Sequence, residues 1–401
     1  MVKVLAIGGS GGMGRFAVRE MLSCESIGSV VVADINAQSA ASFAFGCGGR
    51  ASSLGLDVTD PVALRNALKG IDVVVNTSGP FFKFAVPILE ACIEIKCHYF
   101  DICDDWEPTE EMLKLDQKAV EAGITAVIGL GASPGITNFL GLFAINELDT
   151  VESLYTGWHM GGAKPEAESS QTRVNAAMMH GVQQMTGSVK IFSKGQEEMV
   201  SPLRGLKLDY PGRGVFDVRI FGHPEAITFP HHYPAIKDSM NVCHGGESGL
   251  FVIRTILTLV NWGLLTMSRA AAWLHWLESR PRTEDSVREE ISLPPIYALA
   301  EGVKNGRRGS VGVCFSAESE NILADLGMGM ATGIPLAIGV RMLAEGKINK
   351  KGVMAPEAGH IDPEIFIPEL LRAFSGQRSQ GLKRINEVLE VSVKFQTVPH
   401  S

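Results

Sequence analysis

The sequence predicts an α/β protein: a doubly wound parallel sheet with an inserted α+β domain built on a mainly antiparallel sheet. Three observations predict it. Strand-like and helix-like stretches alternate from Val2 to Leu130, the signature of a parallel sheet with crossover helices. From Thr150 the stretches Val151 to Trp158, Val189 to Phe192 and Val215 to Phe221 are joined by polar loops. Two of those loops, Ser193-Lys194-Gly195-Gln196 and Asn305-Gly306, are good hairpin turns. From Asn321 the helical pattern returns in NILADLGMGMATGIPLAIGVRMLAEGKI. Residues 1–135 and 321–401 therefore read as one discontinuous domain, and residues 136–320 as the insertion.

The chain opens on an apolar strand, Val2 to Ile7, that enters a glycine-rich turn and leaves it as a helix from about Gly12 to Cys24. Gly9, Gly11 and Gly14 fit G-x-G-x-x-G. Gly9 permits the tight turn, Gly11 lets the backbone approach a pyrophosphate, and Gly14 allows helix to pack closely on strand. Free amides and the positive end of the helix dipole then face the anion, drawn from Gly9, Ser10, Gly11, Gly12, Met13 and Gly14. The second strand, Ser29 to Ala33, ends at Asp34, placed to accept hydrogen bonds from an adenosine ribose. This is a Rossmann-type dinucleotide fingerprint. Ile35 and Asn36 stand where a 2′-phosphate binder usually carries Arg, Lys or Ser, so NAD is expected, with NADP possible.

The remaining strands follow in order. Ala51 to Asp57 ends in an acid, and Asp57 is counted with the cofactor residues; Asp60 caps the helix Pro61 to Leu68. Ile71 to Asn76 leads into the loop Thr77, Ser78, Gly79, Pro80, which is expected to approach the ribose and nicotinamide, with Phe81 against the ring or substrate. After a helix from Lys83 to Ile95 come the strand His98 to Cys103, the acidic loop Asp104-Asp105-Trp106-Glu107, a helix from Pro108 to Ala122 and the strand Thr125 to Leu130. Val388 to Phe395 is the last candidate strand.

Composition limits the partners. A net charge of −8 and a pI near 5.7 offer no basic stripe for nucleic acid. The strand begins directly after Met1, without a targeting segment before it, so a cytoplasmic protein is expected. Seven cysteines without a C-x-x-C pair, and only adjacent Cys-His and His-His pairs, predict no metal site. Leu250 to Leu277 is strongly apolar, but its uncharged run between Arg254 and Arg269 is only 14 residues by sequence. That is short of the roughly 18 to 20 that span a bilayer. It is expected to be core or a dimer interface, membrane contact being the alternative.

Several motifs together resemble the saccharopine dehydrogenase family, which includes saccharopine reductases, carboxynorspermidine dehydrogenases and lysine 6-dehydrogenases. They are GGSGGMG, NTSGPF at Asn76 to Phe81, HYFDICDD at His98 to Asp105, GLGASPGITN at Gly129 to Asn138, ATGIP at Ala331 to Pro335 and LAEGKINKKGVMAPE at Leu343 to Glu357. The resemblance implies a nicotinamide-dependent oxidoreductase acting on a carbon–nitrogen bond of an amino acid or its imine, in lysine-type metabolism. It also implies a homodimer formed largely by the second domain. GASPGITN is similar to the lysine 6-dehydrogenase style of this turn; saccharopine reductases usually carry Asp where Ser133 stands, which argues against saccharopine.

The expected chemistry sits at the carboxyl ends of the strands. Asp104 and Asp105 can hold an alkylammonium ion and shuttle its proton, or can cap the following helix. Ser133, Pro134, Gly135 and Asn138 open a helix whose amides can bind a substrate carboxylate. Arg173 and His180 share a helix face that can reach the cleft, solvated surface being the alternative favoured for both. Asp101 reads as structural; His223, Glu225, His231, His232 and His244 cluster in the second domain, which suits proton transfer if they line the cleft and is chance clustering otherwise. Rival readings are a reductase of a lipophilic carbonyl or enoyl substrate and a nucleotide-sensing protein without turnover.

Overall fold

The computed structural model describes residues 1–160, 181–245, 247–278, 292–324, 326–376 and 383–396. Along the first part run β1 (Val2–Ile7), α1 (Gly14–Leu22), β2 (Ile27–Asp34), α2 (Ala37–Cys47), β3 (Ala51–Gly55), α3 (Pro61–Leu68) and β4 (Val73–Asn76). They are followed by α4 (Phe81–Ile95), β5 (His98–Asp101), α5 (Trp106–Leu113), α6 (Asp116–Ala122), β6 (Thr125–Val127) and α7 (Ile136–Asn146). The middle holds β7 (Thr150–His159), β8 (Val189–Ser193), β9 (Gln196–Val200), β10 (Gly205–Tyr210), β11 (Gly214–Phe221), α8 (Glu225–His232) and β12 (Asp238–His244). Next come α9 (Glu247–Asn261), α10 (Met267–Glu278), β13 (Ile296–Lys304) and β14 (Arg307–Phe315). The chain closes with α11 (Ala317–Ala324), α12 (Met328–Ala344), β15 (Gly352–Met354), α13 (Pro363–Phe374), α14 (Ile385–Val388) and β16 (Leu389–Phe395).

Two compact units result, one from residues 1–139 and 316–389, the other taking its described residues from 140–315 and 390–396. In the first, the described strands form a parallel sheet in the order β15-β6-β5-β4-β1-β2-β3. The doubly wound fold is thus present. Strand order reverses between β1 and β4, the point at which such sheets bind ligands outside their carboxyl ends. Helices on both faces explain why the central strands read as unbroken apolar runs: Val73, Val74 and Val75 of β4 are all buried. Asp60 caps α3 as expected, its Oδ1 accepting from Val62 N at 2.9 Å and Ala63 N at 3.0 Å.

The second unit is built on a nine-stranded, mostly antiparallel sheet whose main path is β10-β11-β12-β7-β13-β14-β16. One described pair, β12 with β7, is parallel. Both hairpin turns are present. Lys194 and Gly195 have φ of 53° and 78°, and Asn305 and Gly306 50° and 74°, the two consecutive positive values of a type I′ turn. At the sheet centre the Tyr210 and Tyr297 rings meet edge to face at 5.5 Å. Tyr297 lies over its register partner Gly157, and Tyr210 over Gly312; a Cβ at either glycine would strike the ring.

Several boundaries differ from the sequence reading. The predicted helix Pro108 to Ala122 is two helices, α5 and α6. Strand β3 stops at Gly55, so Asp57 lies in the following loop. β15, within a motif that carried no predicted strand, extends the first sheet. The last strand, β16, was expected in the first domain but pairs with β14 of the second sheet. Leu250 to Leu277 falls on α9 and α10, and only one side of each is core. Ile256, Leu257, Ala270, Ala271 and Leu274 are buried with Leu203, Phe221 and Cys243, while other apolar side chains of the pair are exposed. No described helix is long and apolar enough to cross a membrane.

Candidate active site

The glycine turn joins β1 to α1, and its left-handed residue is Gly8 rather than the expected Gly9. Gly8, with φ +73°, turns the chain off β1, and Gly11 N closes back on Gly8 O at 3.0 Å. A Cβ at Gly14 would sit 2.3 Å from Gly8 O and 2.7 Å from Thr77 Oγ1, so helix and strand approach too closely for any side chain. Gly12 is different: a Cβ there would meet nothing within 4 Å. Nothing inside the fold requires glycine at that position, which leaves the space outside the turn as its reason. The first helical bond runs from Arg15 N to Gly11 O at 3.1 Å, so the amides of Gly12, Met13 and Gly14 precede the helix's own ladder. That is where a pyrophosphate binds a helix start.

Asp34, at the end of β2, is already organised. Its Oδ2 accepts from Ser10 Oγ at 2.6 Å and its Oδ1 from Asn36 N at 3.1 Å, and Ser39 Oγ donates to Ser10 Oγ at 3.0 Å. Arg15 is not aimed at this carboxylate; it donates to Gly11 O and, more weakly, Ser10 O. Asp57 accepts from Thr59 N and Thr59 Oγ1, bonds that hold its carboxyl below the usual range while it stays fully exposed. It shapes the loop after β3.

After β4, Thr77 is tied to Ile7 O through both its amide and its hydroxyl. Ser78 N and Oγ both donate to Asn76 Oδ1, at 3.0 and 2.6 Å. Gly79, like Gly12, has open space at its Cβ position and is followed by a cis bond to Pro80. The aromatic expectation needs correcting. Phe81 is turned inward and is buried, whereas Phe82 is 47% exposed. The sequence could not separate two adjacent phenylalanines at a helix start.

A buried relay, which the sequence reading passed over, connects these loops. Asn76 Nδ2 donates to Tyr99 Oη at 3.1 Å, and Tyr99 Oη donates to Asp101 Oδ2 at 2.8 Å. Asp101 Oδ1 accepts from Gly129 N at 2.7 Å and Cys103 N at 3.0 Å. The structural role expected of Asp101 is therefore seen in detail: it braces the exits of β4, β5 and β6. Burial pushes its carboxyl up to about 6 despite these bonds, with the nearby Asp104 charge adding to the effect. A carboxyl raised in the fold contributes stability below its unfolded value of about 4 that is lost as pH rises through 6, roughly 3 kcal/mol here. Denaturant titrations of wild type and Asp101→Asn at pH 4 and 7 should show the stability gap moving toward the variant by about that amount. An unchanged gap would contradict a raised carboxyl at this position.

The acidic loop divides in two. Asp105 stands at the N-cap position of α5 without a side-chain cap bond; it is buried, and Oδ2 instead accepts from Phe82 N at 3.3 Å. It ties the β4 loop to the β5 loop. Asp104 is the partly exposed carboxylate of the pair. At the β6 exit, Asn138 is fully buried and both ends of its amide are used: Oδ1 accepts from Gly135 N at 2.6 Å and Nδ2 donates to Glu357 Oε2 at 2.7 Å. Asn138 thus braces the turn rather than facing a ligand. Gly135, with φ +123° and Gly131 O only 2.0 Å from its Cβ position, cannot be replaced, and Ser133 remains partly exposed beside a cis bond to Pro134. Glu357 lay in a motif noted in the sequence, but nothing local marked it as Asn138's partner.

The other named residues lie elsewhere. Arg173 and His180 are outside the described residues. In the second unit His223 stacks on Trp158 at 5.6 Å and His244 meets His159 at 5.1 Å. Burial pushes the His244 imidazole down to about 4, which keeps it neutral at physiological pH. Glu225 is also buried and accepts from Asn241 Nδ2. His223, His244 and the His231–His232 pair thus each keep their own ring partners. Among the described residues no group of three or more His, Cys, Asp and Glu could hold a metal ion.

A parallel strand order that reverses between β1 and β4, a glycine turn opening α1 and a carboxylate closing β2 define a dinucleotide-binding Rossmann domain. Residues 4–127 match the family model described as the saccharopine dehydrogenase NADP binding domain. Carboxynorspermidine synthase of Vibrio alginolyticus is 24% identical over 335 residues, 78% of each chain. Carboxyaminopropylagmatine dehydrogenase of Synechocystis sp. is 22% identical over 92% of this chain and 95% of its own. Among solved structures, the apo saccharopine dehydrogenase (L-Glu forming) of Saccharomyces cerevisiae aligns with a TM-score of 0.58 and 17% identity, covering 98% of this chain and 100% of its own. Residues 4–127 thus match a saccharopine dehydrogenase-type NADP-binding domain, with NAD(P) as its cofactor, and most of the chain is similar to the carboxynorspermidine synthase and the carboxyaminopropylagmatine dehydrogenase.

Proposed function

We propose that the protein is an NAD(P)-dependent oxidoreductase acting at the C–N bond of an amino acid or amino-acid-derived imine. The observation that carries this is the loop after β5, where the partly exposed Asp104 is flanked by the buried Asp101 and Asp105, and Asp105 accepts from Phe82 N and so links the loop to the one after β4. Three carboxyl groups at the ligand end of the sheet favour a cationic substrate group such as an alkylammonium. The similar dehydrogenase and synthase, by name, handle carboxyalkyl polyamines, which carry such groups.

When bound, the nicotinamide supplies a hydride acceptor or donor. The chain's own residues do the rest. Gly12, Met13 and Gly14 hold the pyrophosphate, Asp34 and Ser10 the ribose, and Ser78, Gly79 and Phe82 border the nicotinamide end. Asp104 neutralises the amine and takes its proton as the C–N bond is oxidised; in the reverse direction it returns that proton to the reduced nitrogen. The partly exposed Ser133 receives the substrate carboxylate, because the amides of Gly131 and of Gly135 to Asn138 are spent within the β6 turn. The same reading makes the enzyme a cytoplasmic homodimer of amino-acid metabolism, paired through its second unit, whose edge strand β16 exposes Val391 and Val393.

A panel of lysine, saccharopine and carboxyalkyl amines, run with NAD and NADP and followed at the nicotinamide absorbance, tests the reaction. No turnover with any amine or imine, alongside intact cofactor binding, would defeat it. NAD is preferred, because Asp34 meets a ribose diol but repels a 2′-phosphate. Asp34→Ala should weaken NADH binding about 10- to 100-fold, the value of charge-assisted hydrogen bonds, and NADPH binding far less. Fluorescence titration with both nucleotides checks this, and equal losses would remove Asp34 from the ribose site.

A further inference from the structure

The helical hairpin α9–α10 in the second unit leaves an apolar face in water. Phe251, Val252, Trp262, Leu264, Met267 and Trp273 are all exposed, from 39% for Val252 to 81% for Phe251. Singly exposed apolar residues are ordinary, but this many on one hairpin mark a contact surface. Phe251, Thr255, Thr258 and Trp262 form one stripe along α9 and its end, opposite the buried Ile256 and Leu257. The two threonines on that stripe do not need water. Thr255 Oγ1 donates to Phe251 O at 2.8 Å and Thr258 Oγ1 to Arg254 O at 2.7 Å, so their methyl groups can enter an apolar medium with both hydroxyls satisfied.

Charge identifies the occupant. The chain carries −8 overall, yet from Ser248 to Leu277 it has no Asp or Glu, and its charged residues there are Arg254 and Arg269. Both are exposed; Arg269 sits four residues before Trp273 on the same face, and Arg254 leans on Leu203 O. A second copy docked by a two-fold axis would set this acid-free, arginine-bearing face against itself. Anionic headgroups complement it instead, with tryptophan rings at the headgroup level and apolar side chains just below. Since neither helix is long and apolar enough to cross a bilayer, the contact is with its surface.

We propose that the α9–α10 hairpin docks this protein on an anionic lipid surface, with Trp262 and Leu264 at the turn entering the interface. This proposal stands independently of the reaction assigned to the first unit. The test is cosedimentation of the full-length protein with phosphatidylglycerol–phosphatidylcholine vesicles, with pure phosphatidylcholine as control and Trp fluorescence as a second readout. Wild type should pellet with the anionic vesicles, less so at high salt, with a blue-shifted emission. Trp262→Asp combined with Leu264→Asp should weaken binding at least about tenfold, and Arg269→Glu should do so to a smaller degree. Both variants should retain wild-type NADH binding and melting temperature, which shows that the fold survives. Failure of wild type to pellet, equal pelleting of the double variant, or equal binding to pure phosphatidylcholine would overturn the proposal. So would a wild-type dimer that the double variant splits without any lipid binding, because a second copy would then cover the face.

Discussion

Gly12→Val is expected to abolish dinucleotide binding and leave the fold intact, whereas Gly14→Val is expected to destabilise the whole first unit. The two glycines stand two residues apart in one turn, and the motif specifies only Gly14, Gly12 falling at one of its variable positions. Their surroundings differ too. At Gly14 a Cβ would lie 2.3 Å from Gly8 O and 2.8 Å from Gly9 Cα, backbone atoms that cannot swing aside as a flexible side chain can. Overpacking of this kind costs about 1–3 kcal/mol or more, a fall of roughly 5–10 °C in melting temperature for a domain of this size. At Gly12 the Cβ position is open, so the melting temperature should stay within about 2 °C of wild type. The valine would instead occupy the approach to the amides of Met13 and Gly14, and NADH affinity should fall at least about a hundredfold. Thermal melts and NADH fluorescence titrations on both variants decide the matter. A stable Gly12→Val protein that still binds NADH would show that the pyrophosphate lies elsewhere.

This contrast shows what the sequence could and could not tell. Glycine spacing, the apolar runs of β1 and β4 and the terminal Asp34 are local signals with strong periodicity, and they specified the first sheet up to β6. The strands β15 and β16 were harder. β15 is three residues long and recognisable only by the sheet edge it joins, and β16 carries no mark of which sheet it pairs with. Site residues divided along the same line. Gly14, which acts through close backbone packing, could be read from pattern, whereas Gly135 was expected to offer its amide to substrate and instead serves the turn. Residues that act through a distant partner could not be read from pattern: Asn138 looked like a ligand for substrate because its partner Glu357 lies 219 positions away. The α9–α10 pair was only half legible, for a related reason. An almost uncharged run is equally consistent with a core helix and with an exposed apolar face, and only the packing of Ile256 and Leu274 separates the two sides.

The acidic loop should divide in kinetics as it does in structure. Asp104→Asn is expected to lower kcat with the amine substrate by about 10²- to 10⁴-fold, the range for loss of a positioned proton-transfer group. Its side chain is partly exposed, so the melting temperature and NADH affinity should hold. Asp105 is buried against Phe82 N and carries no cap bond to its own helix. Asp105→Asn keeps an acceptor for that amide, so it should remain folded and lose mainly substrate affinity, seen as a raised KM with a smaller fall in kcat. Asp105→Ala removes the acceptor and should cost about 1–3 kcal/mol of stability. The pH profile supplies the readout that a purely structural role would not move. If Asp104 takes the amine proton, the acid limb of kcat/KM for amine oxidation should disappear in Asp104→Asn and persist in Asp105→Asn. Identical profiles and equal losses in the two variants would assign the loop to structure, leaving proton transfer to a group outside it.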